Sequence, residues 1–250
     1  MGQKKGLNDS ELTKLRFAQS HAKSIAWEIA NSIEVGMNEK DAYHIANTVF
    51  KNYGLKYHWH YPYIGLGQGT NKLKSVSSLF VSLFNMKVKL SENDLIMIDI
   101  APIIEGYPSD YTVTKVVGNH KERQEHCDFT KQTAFKMIEM VENKMTNKEI
   151  FIETKKIVQK SGKYVVGEVP VINLGHRILK LPRFTYYVPE GRLPFLLFYP
   201  GPAFLNGRWN RTLDRLWAIE PYILSNDRAA KHEELIYVDP EFHVHRLNID

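Results

Sequence analysis

Five residues carry most of the chemistry this chain could do: Asp99, Asp110, His176, Glu220 and Glu233. Asp99 lies inside an apolar run, Leu95-Ile96-Met97-Ile98-Asp99-Ile100, where an unpaired carboxylate is costly to bury. Asp110 follows across a Glu105-Gly106 turn. A two-residue turn there sets Asp99 opposite Thr112 and Asp110 opposite Ala101. The two aspartates then become diagonal neighbours on one face, with backbones about 7–8 Å apart. Side chains so placed can converge on one cation, although a strand-end aspartate and a loop aspartate at this spacing also occur without one.

Glu220 interrupts a second apolar run, Leu216-Trp217-Ala218-Ile219-Glu220-Pro221, and Glu233 lies in Lys231-His232-Glu233-Glu234-Leu235. Their midpoint is Asn226-Asp227, which is good turn chemistry. A symmetric hairpin would set the two glutamates opposite one another. Like charges so opposed are destabilising, and a divalent cation between them would reverse the sign. The alternative is a solvated Glu233 in a polar hairpin, and Glu234 satisfies the same count. His176 follows Gly175 at the end of the apolar stretch Val169–Leu174. Alone it would read as an edge histidine; beside four carboxylates at strand positions it reads as a ligand. Four carboxylates and an imidazole form a hard donor set suited to Mn²⁺, Fe²⁺, Co²⁺ or Zn²⁺, and their charge suits two divalent ions. Cys127 falls in a helical stretch and reads as a packing residue.

The elements that must hold these residues follow from periodicity and caps. Asn8 with Glu11 caps a helix running to about Ile33. A second helix starts at Asn38, shows i, i+3, i+4, i+7 spacing, and ends at Gly54. Tyr61–Ile64, Val76–Leu83, Leu95–Ala101 and Tyr111–Val117 are strand-like. Helices return over His120–Lys144 and from a Thr146/Glu149 capping box to Gly162. Strand-like sequence closes the chain at Tyr164–Leu174, Leu216–Leu224, Leu235–Val238 and Phe242–Leu247. The order helix-helix, strands, helix-helix, strands is a coarse duplication. It implies an α+β fold in one domain over residues 1–250, with residues 1–8 expected to be flexible.

The chain has 250 residues, 43% hydrophobic and 24% charged, which excludes a disordered chain, a collagen-like repeat or a coiled coil. The net charge is +5 without a long run of like charges, so nucleic acid is not an expected partner. A single cysteine excludes a disulfide framework and suits a reducing, cytoplasmic setting. No apolar stretch reaches the ~18 residues of a membrane span, so no membrane partner is expected.

The run IDIAPIIEGYPSDYTVTKVVG, Ile98 to Gly118, resembles the first metal-binding hairpin of the M24 metallopeptidases. This family has the pita-bread fold of methionine aminopeptidase, aminopeptidase P, prolidase and creatinase. Gly175-His176 resembles its Gly-His ligand site, Ala218-Ile219-Glu220-Pro221 its Ile-Glu-Pro site, and Ala230-Lys231-His232-Glu233 its closing Ala-Gln-x-Glu. The resemblance implies a pita-bread fold with pseudo-twofold halves and a dinuclear centre. Asp99, Asp110 and Glu233 would touch the metals, some bridging them, and His176 and Glu220 would complete one site. The metals would share a water whose pKa they lower, with manganese among the ions that fit. Glu220 would be general base and proton shuttle, and the substrate a small peptide or amino-acid-like molecule.

Two auxiliary histidines of the peptidases are missing. No histidine lies between Tyr61 and Asn119, and Arg183 stands seven residues after His176. His58 and His60 could replace them, since alternate residues of an extended segment share a face; the bland reading is an aromatic packing cluster. Arg183 would suit a substrate carboxylate, or be a surface arginine. The aromatic-rich segment 177–214 could form a specificity wall or a homodimer contact. The primary expectation is a metal-dependent aminopeptidase-like hydrolase. The alternatives are a non-peptidase metalloenzyme, either a creatinase-like amidinohydrolase or an iron-dependent redox enzyme, and a non-catalytic binding module.

Overall fold

Asn8 opens the first helix as its side chain dictates: it accepts from the Glu11 N–H, while the Glu11 carboxylate accepts from the Asn8 N–H. In the computed structural model, which describes residues 6–60, 62–74, 88–167, 174–178, 203–226 and 228–248, this helix is α1 (Asp9–Ser32). The same reciprocal cap at Asn38 and Asp41 starts α2 (Glu39–Asn52). Gly54, with φ +63°, follows its end. His120 caps α3 (Lys121–Glu142), and the Thr146/Glu149 box starts α4 (Asn147–Lys160). Each boundary falls within two residues of the sequence expectation, because caps are local chemistry. Residues 7 and 8, expected to be flexible, are tied down: the Leu7 N–H donates to the Tyr237 hydroxyl at 2.8 Å and Asn8 serves as the cap.

The strands are β1 (Tyr63–Leu66), β2 (Leu95–Ile100), β3 (Ile103–Ile104), β4 (Tyr107–Pro108), β5 (Tyr111–Val116) and β6 (Val165–Val166), then β7 (Gly175–Arg177), β8 (Arg215–Ile219), β9 (Tyr222–Ser225), β10 (Arg228–Lys231), β11 (Glu234–Val238) and β12 (Val244–Arg246). They pair antiparallel as β1-β2-β5, β10-β9-β6 and β12-β11-β8-β7, with β3-β4 as a small hairpin. The expected strand Leu216–Leu224 divides at Glu220-Pro221, where proline cannot donate to a ladder. The expected strand Phe242–Leu247 starts only at Val244, since Phe242 turns with φ +68°. The expected strand Val76–Leu83 and residues 168–173 lie outside the described residues.

Alternation along β2 decides what each residue faces. Ile96, Ile98 and Ile100 pack on Ala22, Ile25, Ala26 and Ile29 of α1. Met97 points the other way and joins Tyr63, Tyr222 and Ala229 in a seam between the two halves. The second half repeats the plan: Met137, Ile138 and Val141 of α3 and Ile150 and Val158 of α4 cover Trp217, Ile219, Ile223 and Ile236. Arg228 ties the halves together with two donors to Asp94, at 2.7 and 3.1 Å. Asp99 shares the seam-facing side of β2 with Met97, and that is where the carboxylates meet.

Candidate metal centre

The turn that sets the aspartates is the one the sequence calls for. Glu105 and Gly106 both have positive φ, +52° and +82°, as a two-residue type I′ hairpin requires. β2 and β5 pair Asp99 with Thr112. Asp110 precedes β5, and Gln19 of α1 clamps its backbone: Gln19 Nε2 donates to the Asp110 carbonyl at 2.5 Å, and the Asp110 N–H donates to Gln19 Oε1 at 3.1 Å.

The second hairpin keeps the expected register. Ile219 pairs with Glu234 and Tyr222 with Lys231, which brackets Glu220 and Glu233 opposite one another. Glu233 is the inward glutamate, fully buried. Glu234 is taken by His232 at 3.0 Å and Arg246 at 3.1 Å. β7 pairs His176 with Ala218. A Cβ on Gly175 would run into the Ala218 carbonyl oxygen, so only glycine lets the His176 strand approach β8 this closely.

All five expected ligands come together. His176 Nε2 lies 3.3 Å from Asp110 Oδ2 and 3.4 Å from Glu220 Oε1. His60 Nε2 lies 3.2 Å from Asp110 Oδ1 and 3.5 Å from Asp99 Oδ1. Thr112 donates to Glu233 Oε2 at 2.7 Å. A residue outside the expected set enters the same space: Lys231 Nζ lies 2.7 Å from Asp99 Oδ2, 2.5 Å from Glu220 Oε2 and 3.7 Å from Glu233 Oε2.

His58 and His60 part company. His60 reaches the aspartates, whereas His58 is fully buried and packs on Phe50 with ring centroids 4.6 Å apart. Burial, helped by His60, pushes the His58 pKa down to about 3, so that ring is neutral at physiological pH. Arg183 lies outside the described residues, as does the core of the aromatic segment.

Electrostatics within the cluster follow from its charges. Burial opposes ionisation of Asp110, but His60 and His176 outweigh it and hold its carboxyl below the usual range. Burial likewise lowers His176, and Glu220 and Asp110 more than reverse that. Lys231 is driven well above its ordinary value because Asp99, Glu220 and Glu233 overcome the burial cost. Glu233 is pushed well up by burial and then by Asp110.

The donor set suits a cation. Asp99 Oδ1, Asp110 Oδ2, Glu220 Oε1 and Glu233 Oε1 are buried with no hydrogen-bond partner. Three of these oxygens have only an imidazole nitrogen at 3.3–3.5 Å, and buried carboxylate oxygens left so are expensive unless a positive charge meets them. Among the described residues, His60, Asp99 and Asp110 offer three ligand atoms all within 4.8 Å of one another.

The model of metallopeptidase family M24 matches residues 13–240. The chain belongs to metallopeptidase family M24. Its fold is similar to that of three solved structures. These are a prolidase from Pyrococcus horikoshii OT3 (TM-score 0.70, 19% identity), an X-Pro aminopeptidase from Thermotoga maritima MSB8 (0.70, 16%) and an Xaa-Pro dipeptidase from Bacillus anthracis (0.70, 18%). The alignments cover 97%, 98% and 97% of this chain and 62%, 62% and 61% of those chains. The chain thus spans about three fifths of their length. No match is found among curated protein sequences. The fold is the α+β pita bread that the hairpin motif implies, with its two helix-strand halves. No helix among the described residues is long and apolar enough to cross a membrane.

Four residues of this cluster are given no role by the motifs: Lys231, Thr112, Gln19 and Trp59. Trp59 stands against both imidazoles, its ring centroid 4.8 Å from that of His60 and 5.0 Å from that of His176, and its indole N–H donates to the Ser109 carbonyl at 2.8 Å. Lys231 had a signal. It lies two residues before Glu233 in extended chain, and residues two apart share a face. Gln19 had none, because its partner is 91 residues away.

Proposed function

We propose that this protein is a metal-dependent hydrolase that cleaves an amide bond in a small peptide-like substrate. The observation that carries the reading is the buried convergence of Asp99, Asp110, Glu220 and Glu233, each with one unpartnered oxygen, on His60 and His176. These six residues are the donors for divalent metal, with manganese the first ion to try. A divalent cation bound there would acidify a water and polarise a carbonyl oxygen.

The remaining chemistry belongs to the chain. Glu220 Oε1, the oxygen not bonded to Lys231, accepts the proton of the attacking water and returns it to the leaving amine. Thr112 holds Glu233 and Gln19 holds the Asp110 backbone, so both carboxylates are set before substrate arrives. Arg183 is assigned the substrate carboxylate. The chain works in a reducing compartment such as the cytoplasm, where its one thiol, Cys127, pushed up to about 12 chiefly by burial, stays reduced.

The test is hydrolysis by protein stripped with chelator and reloaded with Mn²⁺. Because solved relatives of this fold include a prolidase and an X-Pro aminopeptidase, the panel holds Xaa-Pro dipeptides, longer Xaa-Pro peptides, other dipeptides and guanidino acids. Metal-dependent release of free amino acid, lost in Glu220→Gln, is the expected result. A loaded protein that turns over none of the panel overturns the reading. One observation favours a second reading, a non-peptidase metalloenzyme acting on an amino-acid-like molecule. His60 reaches the aspartates themselves and adds a nitrogen donor to them. Oxygen uptake by the iron-loaded protein with such a substrate would select it.

A further inference from the structure

Two opposed, buried glutamates need a positive charge between them, and the chain brings its own. The Lys231 ammonium lies within ion-pair reach of Glu220, Glu233 and Asp99 at once. It is no swinging surface lysine. Its residue is 7% exposed, and Thr114 of β5 fixes its backbone on both sides, accepting from the Lys231 N–H at 3.1 Å and donating to its carbonyl at 2.8 Å. An ammonium has three donors and no acceptor, which fits a position ringed by carboxylate oxygens.

Of the four carboxylates, Asp110 alone makes no ion pair with Lys231 among the described contacts. It is bracketed instead by imidazoles, His60 on Oδ1 and His176 on Oδ2. The cluster therefore has two sides: Lys231 faces Asp99 Oδ2, Glu220 Oε2 and Glu233 Oε2, while the imidazoles face both Asp110 oxygens together with Asp99 Oδ1 and Glu220 Oε1, and this imidazole side is the Asp110 pole.

We propose that the Lys231 ammonium takes the place of one of two cations, so that the centre holds a single divalent ion, at its Asp110 pole. The inference rests on the metal-dependent reading above and refines its ion count. The expectation of two ions comes from the charge count and from the family resemblance, and neither weighs Lys231. Four carboxylates with Lys231 and one divalent ion leave one net negative charge. A second divalent ion would turn the pocket net positive and would compete with the ammonium for Asp99 Oδ2, Glu220 Oε2 and Glu233 Oε2. Like charges at that range in a buried site repel strongly.

The experiment is Mn²⁺ titration of chelator-stripped full-length protein, read by calorimetric stoichiometry, by metal content after desalting and by electron paramagnetic resonance. Wild type is expected to bind one equivalent with the six-line spectrum of an isolated Mn²⁺. Lys231→Gln is expected to bind two, with the broadened spectrum of a coupled pair. Two equivalents in wild type, or a coupled spectrum, overturn the inference and leave the metal reading standing. Lys231→Gln remaining at one equivalent overturns the role given to Lys231. No metal in wild type and none in Lys231→Gln overturns the inference together with the metal reading. Should Lys231→Gln fail to fold, the wild-type stoichiometry and spectrum decide by themselves.

Discussion

The Lys231 ammonium donates to Asp99 Oδ2 at 2.7 Å although the two residues stand 132 positions apart. This contact crosses from β10 to β2 and is buried at both ends. In metal-free protein it should be a stability determinant. Removing one partner of a buried pair leaves uncompensated charge and costs about 3–5 kcal/mol. Lys231→Met should therefore lower the urea midpoint sharply in chelator, and Mn²⁺ should recover part of the loss. An unchanged midpoint in chelator would show that the pairing is not made.

Asp110 receives both imidazoles, so it should dominate metal retention. Asp110→Ala is expected to weaken Mn²⁺ binding by at least about 100-fold, since even outer partners of metal ligands contribute 10–100-fold. Competition with a chelating dye measures this. Affinity within threefold of wild type would remove Asp110 from the donor set.

Thr112 is the donor that Glu233 Oε2 relies on. Thr112→Val keeps the shape and leaves a buried carboxylate oxygen without that bond, a loss of about 1–3 kcal/mol. Thr112→Ser should restore most of it. Equal denaturation midpoints for the valine and serine variants would place the effect in packing.

Gly175 is set against the Ala218 carbonyl. Gly175→Ala must push β7 away from β8, and overpacking of this kind costs about 1–3 kcal/mol. The melting temperature should drop, and metal affinity should fall with it because His176 moves. A variant as stable as wild type would refute the close approach.

A pH dependence away from the centre comes from His126. Its Nε2 bonds to the Ile223 carbonyl at 3.0 Å, and burial pushes its pKa down to about 4. The unfolded chain binds this proton near pH 6.5 and the folded chain only near 4, so stability is present above 6.5 and is lost as pH falls between those values. Between pH 7 and pH 5 the loss is about 2 kcal/mol. His126→Gln should lose less over that interval in urea denaturation, and an identical slope would sink the assignment.

The helices were legible because their signals are local. Asn8 with Glu11, Asn38 with Asp41 and Thr146 with Glu149 are bonds between residues three apart. Both hairpin registers were legible too, from Glu105-Gly106 and from the midpoint at Asn226-Asp227, since a turn of fixed length sets the pairing beyond it. Asp99 and Asp110 could thus be set as diagonal neighbours, and Glu220 and Glu233 opposite one another, from the chain alone, whereas His176 could be singled out but not placed. The count of carboxylates also led to the expectation of a cation among them.

Which cation meets which oxygen was a tertiary matter. Strand parity puts Lys231 on the face of Glu233, but only the packing of β10 against β2 and β5 brings its ammonium to Asp99 and Glu220. Parity likewise put His58 and His60 on one face, yet the structure sends His60 to the aspartates and His58 against Phe50. Periodicity fixes a side chain's direction relative to its own strand. Its partner depends on how two halves of the chain, more than a hundred residues apart, pack across the seam of Met97, Tyr63, Tyr222 and Ala229.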